Sequence, residues 1–170
     1  MSQVTFYILT ESGSEHLPEH FAQACSLAAF YYQQNRKVFI YTDNQQDGFL
    51  VDEYLWQFDG DSFVPHNLLG EGPKFGTPVE ISWMPPTHPR PVLINLSSQL
   101  PDFSSNFQQI IDFVPNNEKL KIAARQRYSA YKKLGHSLST EKLEKDDPSK
   151  EALSSEAADT PNSNNQTEDK

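Results

Sequence analysis

Short runs of apolar, strand-forming residues alternate along the chain with segments whose apolar residues fall at helical spacing. The runs predict strands at residues 4–9, 38–41, 79–83, 92–96 and 110–114. Helical spacing predicts helices over about 18–34 and about 116–134, and a third helix that begins at Asp43 or Asn44 and ends near Trp56. Strands that alternate with helices are typical of an α/β domain with a mainly parallel sheet flanked by helices.

The pattern ends near residue 138. Residues 141–170 contain nine acids, four bases and no aromatic residue. Such a segment buries too little apolar surface to offset the entropy lost on ordering. We therefore expect a folded domain over 1–138 and a disordered acidic tail over 139–170.

Composition narrows the class of protein. The net charge of −9 argues against nucleic-acid binding by the whole chain, because phosphate contacts need an excess of bases. The single cysteine, Cys25, allows no disulfide within the chain. The first residues lack a signal-peptide pattern, and no apolar run approaches the roughly 18 residues of a membrane span. We expect a cytoplasmic protein without a membrane partner.

A search for catalytic and ligand-binding motifs favours no enzyme. Neither GxxxxGK[ST] nor a GxGxxG after a strand occurs, and the glycine-rich loop at 70–76 is better explained as a turn because it opens no helix. His16 and His20 have the spacing of metal ligands, but no third ligand lies nearby in the sequence. We expect no catalytic residue, no metal and no cofactor.

The last predicted helix carries a local reversal of charge. Six of the ten Lys and Arg residues before position 139 lie within 119–133, and no acid lies among them. Lys121, Arg125, Tyr128 and Lys132 are spaced by four, three and four, so they share one helical face. Such a stripe suits an acidic peptide, a terminal carboxylate or a phosphate. A solvated face explains Lys132 near the helix end, but it explains Lys121 in the first turns poorly, because the helix dipole disfavours a cation there.

Aromatic residues form the second unusual feature. Trp56, Phe58 and Phe63 lie close together at a helix end and in a polar turn. Aromatic residues near turns are frequent anchors of protein interfaces, and they are also common at the rim of a core. The pattern alone leaves both interpretations open.

Four segments carry a resemblance to a known family. They are TFYIL near the start, DEYLW at 52–56, SFVPHNLLGEGPKFGTPVEISW at 62–83 and DFVPNNEKLKIAARQRYSAYKKLG at 112–135. Over residues 3–138 the chain resembles the chi subunits of the bacterial DNA polymerase III holoenzyme.

The resemblance implies a Rossmann-like fold without a cofactor and without catalysis in isolation, the nucleotidyltransferase activity of the holoenzyme lying on another subunit. It implies two protein partners and no direct contact with DNA. One is the psi subunit, which forms a heterodimer with chi and tethers it to the clamp loader. The other is the acidic C-terminal tail of single-stranded DNA-binding protein.

The resemblance also assigns residues to both partners. For the tail of single-stranded DNA-binding protein they are Val114, Lys121, Arg125, Tyr128 and Lys132, of which Lys132 replaces an arginine expected in the family. For psi they are Trp56, Phe63, Val64 and Pro65. A helicase-like repair protein is implied as an alternative partner at the psi surface.

Two other functions remain open from the residues alone. One is a nucleotide-dependent enzyme on the same fold. The other is direct binding of single-stranded DNA by the basic helix, with Tyr128 stacked on a base, which the acidic tail disfavours.

Overall fold

Seven strands form one parallel sheet in the computed structural model, which describes residues 2–14, 16–57, 63–72 and 77–143. The strands are β1 (Gln3–Leu9), β2 (Val38–Tyr41), β3 (His66–Leu68), β4 (Val79–Ser82), β5 (Val92–Asn95), β6 (Gln109–Val114) and β7 (Ser137–Leu143). The helices are α1 (Glu19–Gln33), α2 (Gln45–Gln57) and α3 (Glu118–Lys133), with a short 3-10 turn at Ser104–Asn106. The predicted α/β class with a parallel sheet is confirmed.

The order across the sheet is β3-β4-β2-β5-β6-β1-β7. The connection through α1 carries the chain from β1 to β2, three places away, whereas α3 crosses β1 and connects β6 to β7. The crossovers from β1 and β6 therefore run in opposite directions over opposite faces of the sheet, so helices cover both faces, as in other doubly wound α/β sheets.

Side chains of alternate strand residues build a core on each face of the sheet. Val38 and Ile40 point into the hydrophobic cluster between the sheet and helices α1 and α2. Phe39, between them in the strand, points into the cluster between the sheet and α3. The helices contribute their apolar faces, with Val51 and Leu55 of α2 on the first side. The two cores place α2 and α3 on opposite faces of the sheet.

Two of the helices begin at asparagine residues that cap them. Asn44 Oδ1 accepts a hydrogen bond from the backbone N–H of Asp47 at 2.8 Å, and Asn117 Oδ1 accepts one from Leu120 at 3.0 Å. Each side chain satisfies a donor of the first turn that has no partner within the helix. Of the two predicted candidates for the start of α2, Asn44 is the residue that caps the helix.

The predicted domain boundary at residue 138 falls within β7. This strand pairs with β1 along its length and ends at Leu143, which is buried in the α1 and α2 side of the core. Its sequence, SLSTEKL, is polar because an edge strand has one neighbour and a largely solvated surface. The rest of the predicted acidic tail, 144–170, lies outside the described residues.

The other edge strand, β3, was also not predicted. It has three residues, pairs only with β4 among the described strands, and follows a turn-rich segment. Gly70, at φ 90°, then turns the chain in a conformation that favours glycine.

Truncation should show that β7 belongs to the domain. A chain ending at Ser139 loses four residues of β7 and the buried Leu143 side chain, whose burial alone is worth about 2 kcal/mol. Its thermal midpoint should be roughly 4–8 °C below that of a chain ending at Leu143. Equal midpoints of the two truncated chains would contradict a structural role for the end of β7.

Candidate partner-binding sites

A buried ion pair fixes α3 on the sheet. Asp112 lies in the middle of β6 with 0% of its surface exposed, and its carboxylate accepts hydrogen bonds from Arg127 Nε at 3.1 Å and Nη2 at 3.0 Å. The Tyr131 hydroxyl donates to the same carboxylate at 3.1 Å, and Asn95 donates to it at 3.2 Å. Arg127 also donates to the carbonyl oxygens of Ser98 and Phe113. A buried charge with this many partners is satisfied in one position, so it sets the rotation of α3 about its axis.

The predicted basic stripe lies on the exposed flank of α3 as a result. Arg127 and Tyr131 point to the sheet, whereas Arg125 and Lys132 are exposed and have no salt-bridge partner among the described residues. Lys121 is half-buried and lies 3.7 Å from Glu118 in an exposed ion pair of little energetic weight.

Val114 and Tyr128 provide an apolar surface beside these cations. Both are half-buried and pack against the core cluster beneath α3. The Tyr128 ring lies 5.4 Å from the ring of Phe6 in β1, which turns this side of α3 toward β1. The structure thus places the exposed cations of the basic stripe beside a half-buried apolar surface, the apolar step formed by Val114 and Tyr128.

Trp56 and Phe63 form an exposed aromatic pair on the other side of the sheet. Their side chains are 60% and 55% exposed, and their ring centroids lie 5.6 Å apart. Pro65 is half-buried, but Val64 is 1% exposed and packs in the core. The Val64 side chain therefore supports this surface from below and is not available to a partner. Phe58 lies outside the described residues.

A buried histidine holds the aromatic pair in place. His66 Nδ1 donates to the Val64 carbonyl oxygen at 2.7 Å, and Nε2 lies 3.3 Å from Asp52 Oδ1. The imidazole ring also meets the Trp56 ring edge-on at 4.9 Å. Burial raises the pKa of the Asp52 carboxyl above its usual value. The contacts tie α2 to the segment that carries Phe63.

A crevice of about 240 Å³ opens at the carboxyl ends of β5 and β6, where Rossmann-like proteins bind ligands. Its lining includes Asp43 and Asp47, and the pKa of Asp47 is raised by burial and by the negative charge of Asp43. Burial, together with the charge of Arg127, lowers the pKa of His20 to about 4. The carboxylates at this crevice repel a phosphate group.

The two histidines with metal-ligand spacing, His16 and His20, gain no third ligand among the described residues. Across the described ranges, no group of three or more His, Cys, Asp or Glu side chains could hold a metal ion. Cys25 is buried in α1, and burial raises the pKa of its thiol. None of the helices in the described part of the chain is long and apolar enough to cross a membrane.

Residues 1–139 match the family described as DNA polymerase III chi subunit, HolC. The chain belongs to this chi family. The chi subunit of Haemophilus influenzae is 45% identical over 140 residues, which cover 81% of this chain and 95% of the relative. The chi subunit of Escherichia coli K12 is 38% identical over 143 residues, which cover 82% and 97%. The chi subunit of Pseudomonas aeruginosa is 28% identical over 144 residues. Membership makes the chain an accessory subunit in DNA replication.

A solved structure outside the chi family shares the fold. The crystal structure of T4 UvsW superimposes with a TM-score of 0.58 at 9% sequence identity, over 84% of this chain and 41% of that one. At this identity the likeness describes the architecture alone.

Two polar pairs, each with at least one buried member, are not predicted from the sequence. One is Asp112 with Arg127, and the other is Asp52 with His66. A signal for the first was present, because an acid interrupts the apolar run IIDFV and Arg127 shares a helical face with Ala124 and Tyr131.

Loss of Arg127 should destabilise the domain strongly. Arg127→Met leaves the buried Asp112 carboxylate without its cation, which costs about 3–5 kcal/mol. In Asp112→Asn/Arg127→Met no unpaired charge remains, so urea unfolding should recover a large part of the loss. If the free energy of unfolding of the single variant Arg127→Met were within about 1 kcal/mol of the wild-type value, the anchoring role of Arg127 would be contradicted.

Proposed function

We propose that the chain links the clamp loader to DNA-coating protein during replication. It binds the psi subunit as a heterodimer with one surface and the acidic C-terminal tail of single-stranded DNA-binding protein with another. It contributes no catalytic group, and the nucleotidyltransferase activity of the holoenzyme lies on another subunit. It acts in the cytoplasm, where a single buried Cys25 suits reducing conditions.

The exposed cationic flank of α3 beside an apolar step carries this proposal. Arg125 and Lys132 offer free cations, and Val114 and Tyr128 offer half-buried apolar surface next to them. An acidic peptide that ends in an apolar residue needs both features at once. Its acidic side chains pair with cations, and its terminal side chain is buried against an apolar surface. An isolated solvated face needs only the cations.

The proposed psi surface comprises Trp56, Phe63 and Pro65, with Val64 packed beneath them. Large aromatic side chains that are more than half exposed in a chain of this size are typical anchors of interfaces. The contacts of His66 hold the pair before a partner arrives, which reduces the entropy lost on binding. A helicase-like repair protein would compete with psi for the same anchors.

The two proposed surfaces lie far apart in the fold. The aromatic pair belongs to the side where α2 contacts β3 and β4, and the basic stripe belongs to α3, over β6 and β7 at the other end of the sheet. The surfaces are also on opposite faces of the sheet. Both partners can therefore bind at the same time, as a linker requires.

A nucleotide-dependent enzyme is the weaker candidate. Such enzymes hold phosphates with glycine-rich backbone and a helix N-terminus free of acids. Here Glu19 occupies the first turn of α1, and Asp43 and Asp47 line the crevice.

Direct binding of single-stranded DNA is also weaker. Tyr128 is half-buried and packs on Phe6, which leaves it poorly placed to stack on a base.

Replacing Arg125 should weaken binding of the tail of single-stranded DNA-binding protein. Its guanidinium can hold a carboxylate by two hydrogen bonds, each worth roughly 1.5–3 kcal/mol between charged groups. Arg125→Ala should raise the Kd of a fluorescent tail peptide about tenfold or more, and wild-type binding should weaken as salt rises. Lys119→Ala is the matched control, because this exposed cation of α3 lies off the stripe. Equal Kd values for wild type and Arg125→Ala would leave the stripe as a solvated face.

Replacing Trp56 should abolish binding to psi and leave binding of the tail peptide unchanged. Trp56→Ala removes an exposed ring without opening the core, so the fold should persist and the tail peptide should bind as to wild type. Co-purification with psi should fail for Trp56→Ala and succeed for Arg125→Ala. Loss of both partners from Trp56→Ala would point to a structural role of this ring.

A further inference from the structure

A row of three residues crosses β6, β1 and β7 near the carboxyl end of the sheet. The register places Ile8 opposite Val114 on one side and opposite Lys142 on the other. Neighbouring strands lie about 4.8 Å apart, so the Cα atoms of Val114 and Lys142 are separated by roughly 10 Å. Val114 and Ile8 are half-buried, and Lys142 is exposed.

The whole row faces the side of the sheet on which α3 lies. Side chains alternate along each strand, and in β7 Leu138 packs in the cluster beneath α3 while Leu143 packs in the opposite cluster. Lys142 is four residues from Leu138 and one from Leu143, so it shares the face of Leu138. Val114 packs against the same α3-side cluster.

The basic stripe lies on the side of α3 that faces this row. Arg127 reaches to the Ser98 carbonyl oxygen near the end of β5, whereas Tyr128, one residue on, contacts Phe6 in β1. The stripe is therefore on the flank of α3 that faces β1 and β7. Lys121 and Arg125 lie in the first half of α3, which begins just after the end of β6 and so lies near the Val114 row.

We propose that Lys142 forms the second cationic wall of the site for an acidic peptide. The peptide lies between α3 and β7, with an apolar side chain over Val114 and Ile8, acids toward Lys121 and Arg125 on one side, and an acid toward Lys142 on the other. This inference rests on the proposed function of the stripe and extends it to a strand outside that helix. Lys142 has no salt-bridge partner among the described residues, so it is free to take one from a ligand.

A lysine on an edge strand has another known use. It discourages pairing of the exposed edge with another chain. That use alone makes self-association, and not peptide binding, depend on Lys142, so the two roles give different results in a binding experiment.

The test measures binding of a fluorescein-labelled peptide of four aspartates followed by a C-terminal phenylalanine. The proteins are the full chain as wild type, Lys142→Gln, Lys142→Glu, Arg125→Ala and Lys37→Glu. Lys37 is an exposed lysine just before β2, at the opposite end of the sheet, and its reversal changes the net charge as Lys142→Glu does. A peptide with asparagine in place of each aspartate serves as the uncharged probe.

Lys142→Gln should weaken binding roughly two- to fivefold, as for one exposed ion pair, and Lys142→Glu should weaken it further. Lys37→Glu should bind as wild type, and the asparagine peptide should not distinguish wild type from Lys142→Glu. Lys142 variants that bind as wild type while Arg125→Ala loses affinity would overturn the second wall and leave the proposed function intact. Wild type that fails to bind the aspartate peptide and the natural tail peptide would overturn both.

Discussion

The contact between Asp112 and Arg127 determines which side of α3 faces the sheet and which side faces solvent. A carboxylate buried in the middle of a sheet strand is costly, and here it is offset by the guanidinium and by hydrogen bonds from Tyr131 and Asn95. These bonds can form only when one side of α3 faces the sheet. The same rotation exposes Arg125 and Lys132 and brings Tyr128 against Phe6. The buried pair thus positions a surface to which it does not itself belong.

The predicted elements and the missed ones differ in how much apolar surface they bury. Apolar side chains are buried by every predicted element, namely the three helices and strands β1, β2, β4, β5 and β6. The spacing of these apolar residues is therefore visible in the sequence. The two edge strands, β3 and β7, are short or polar and gain their order from pairing with β4 and β1. Pairing leaves little trace in a local pattern, and for this reason the expected boundary at residue 138 fell inside β7.

The proposed sites divide in the same way. The spacing of Lys121, Arg125, Tyr128 and Lys132 predicts a shared helical face, and the structure bears that out. The residues proposed to complete this site, Ile8 and Lys142, come from β1 and β7. They lie more than a hundred residues apart in the chain, so only the sheet register brings them together. Val64 differs from these residues, because the resemblance assigns it to psi binding whereas its side chain is 1% exposed and packs in the core.

An NMR titration tests most directly whether this domain binds its two partners through two separate surfaces. Addition of the tail peptide of single-stranded DNA-binding protein to ¹⁵N-labelled chain should shift the amide signals of Ile8, Val114, Arg125 and Lys142 while the indole N–H of Trp56 stays unchanged. Subsequent addition of psi should shift the Trp56 indole signal while the peptide-bound signals of α3 persist. Displacement of the peptide by psi, or a peptide-induced shift of the Trp56 indole, would contradict the account.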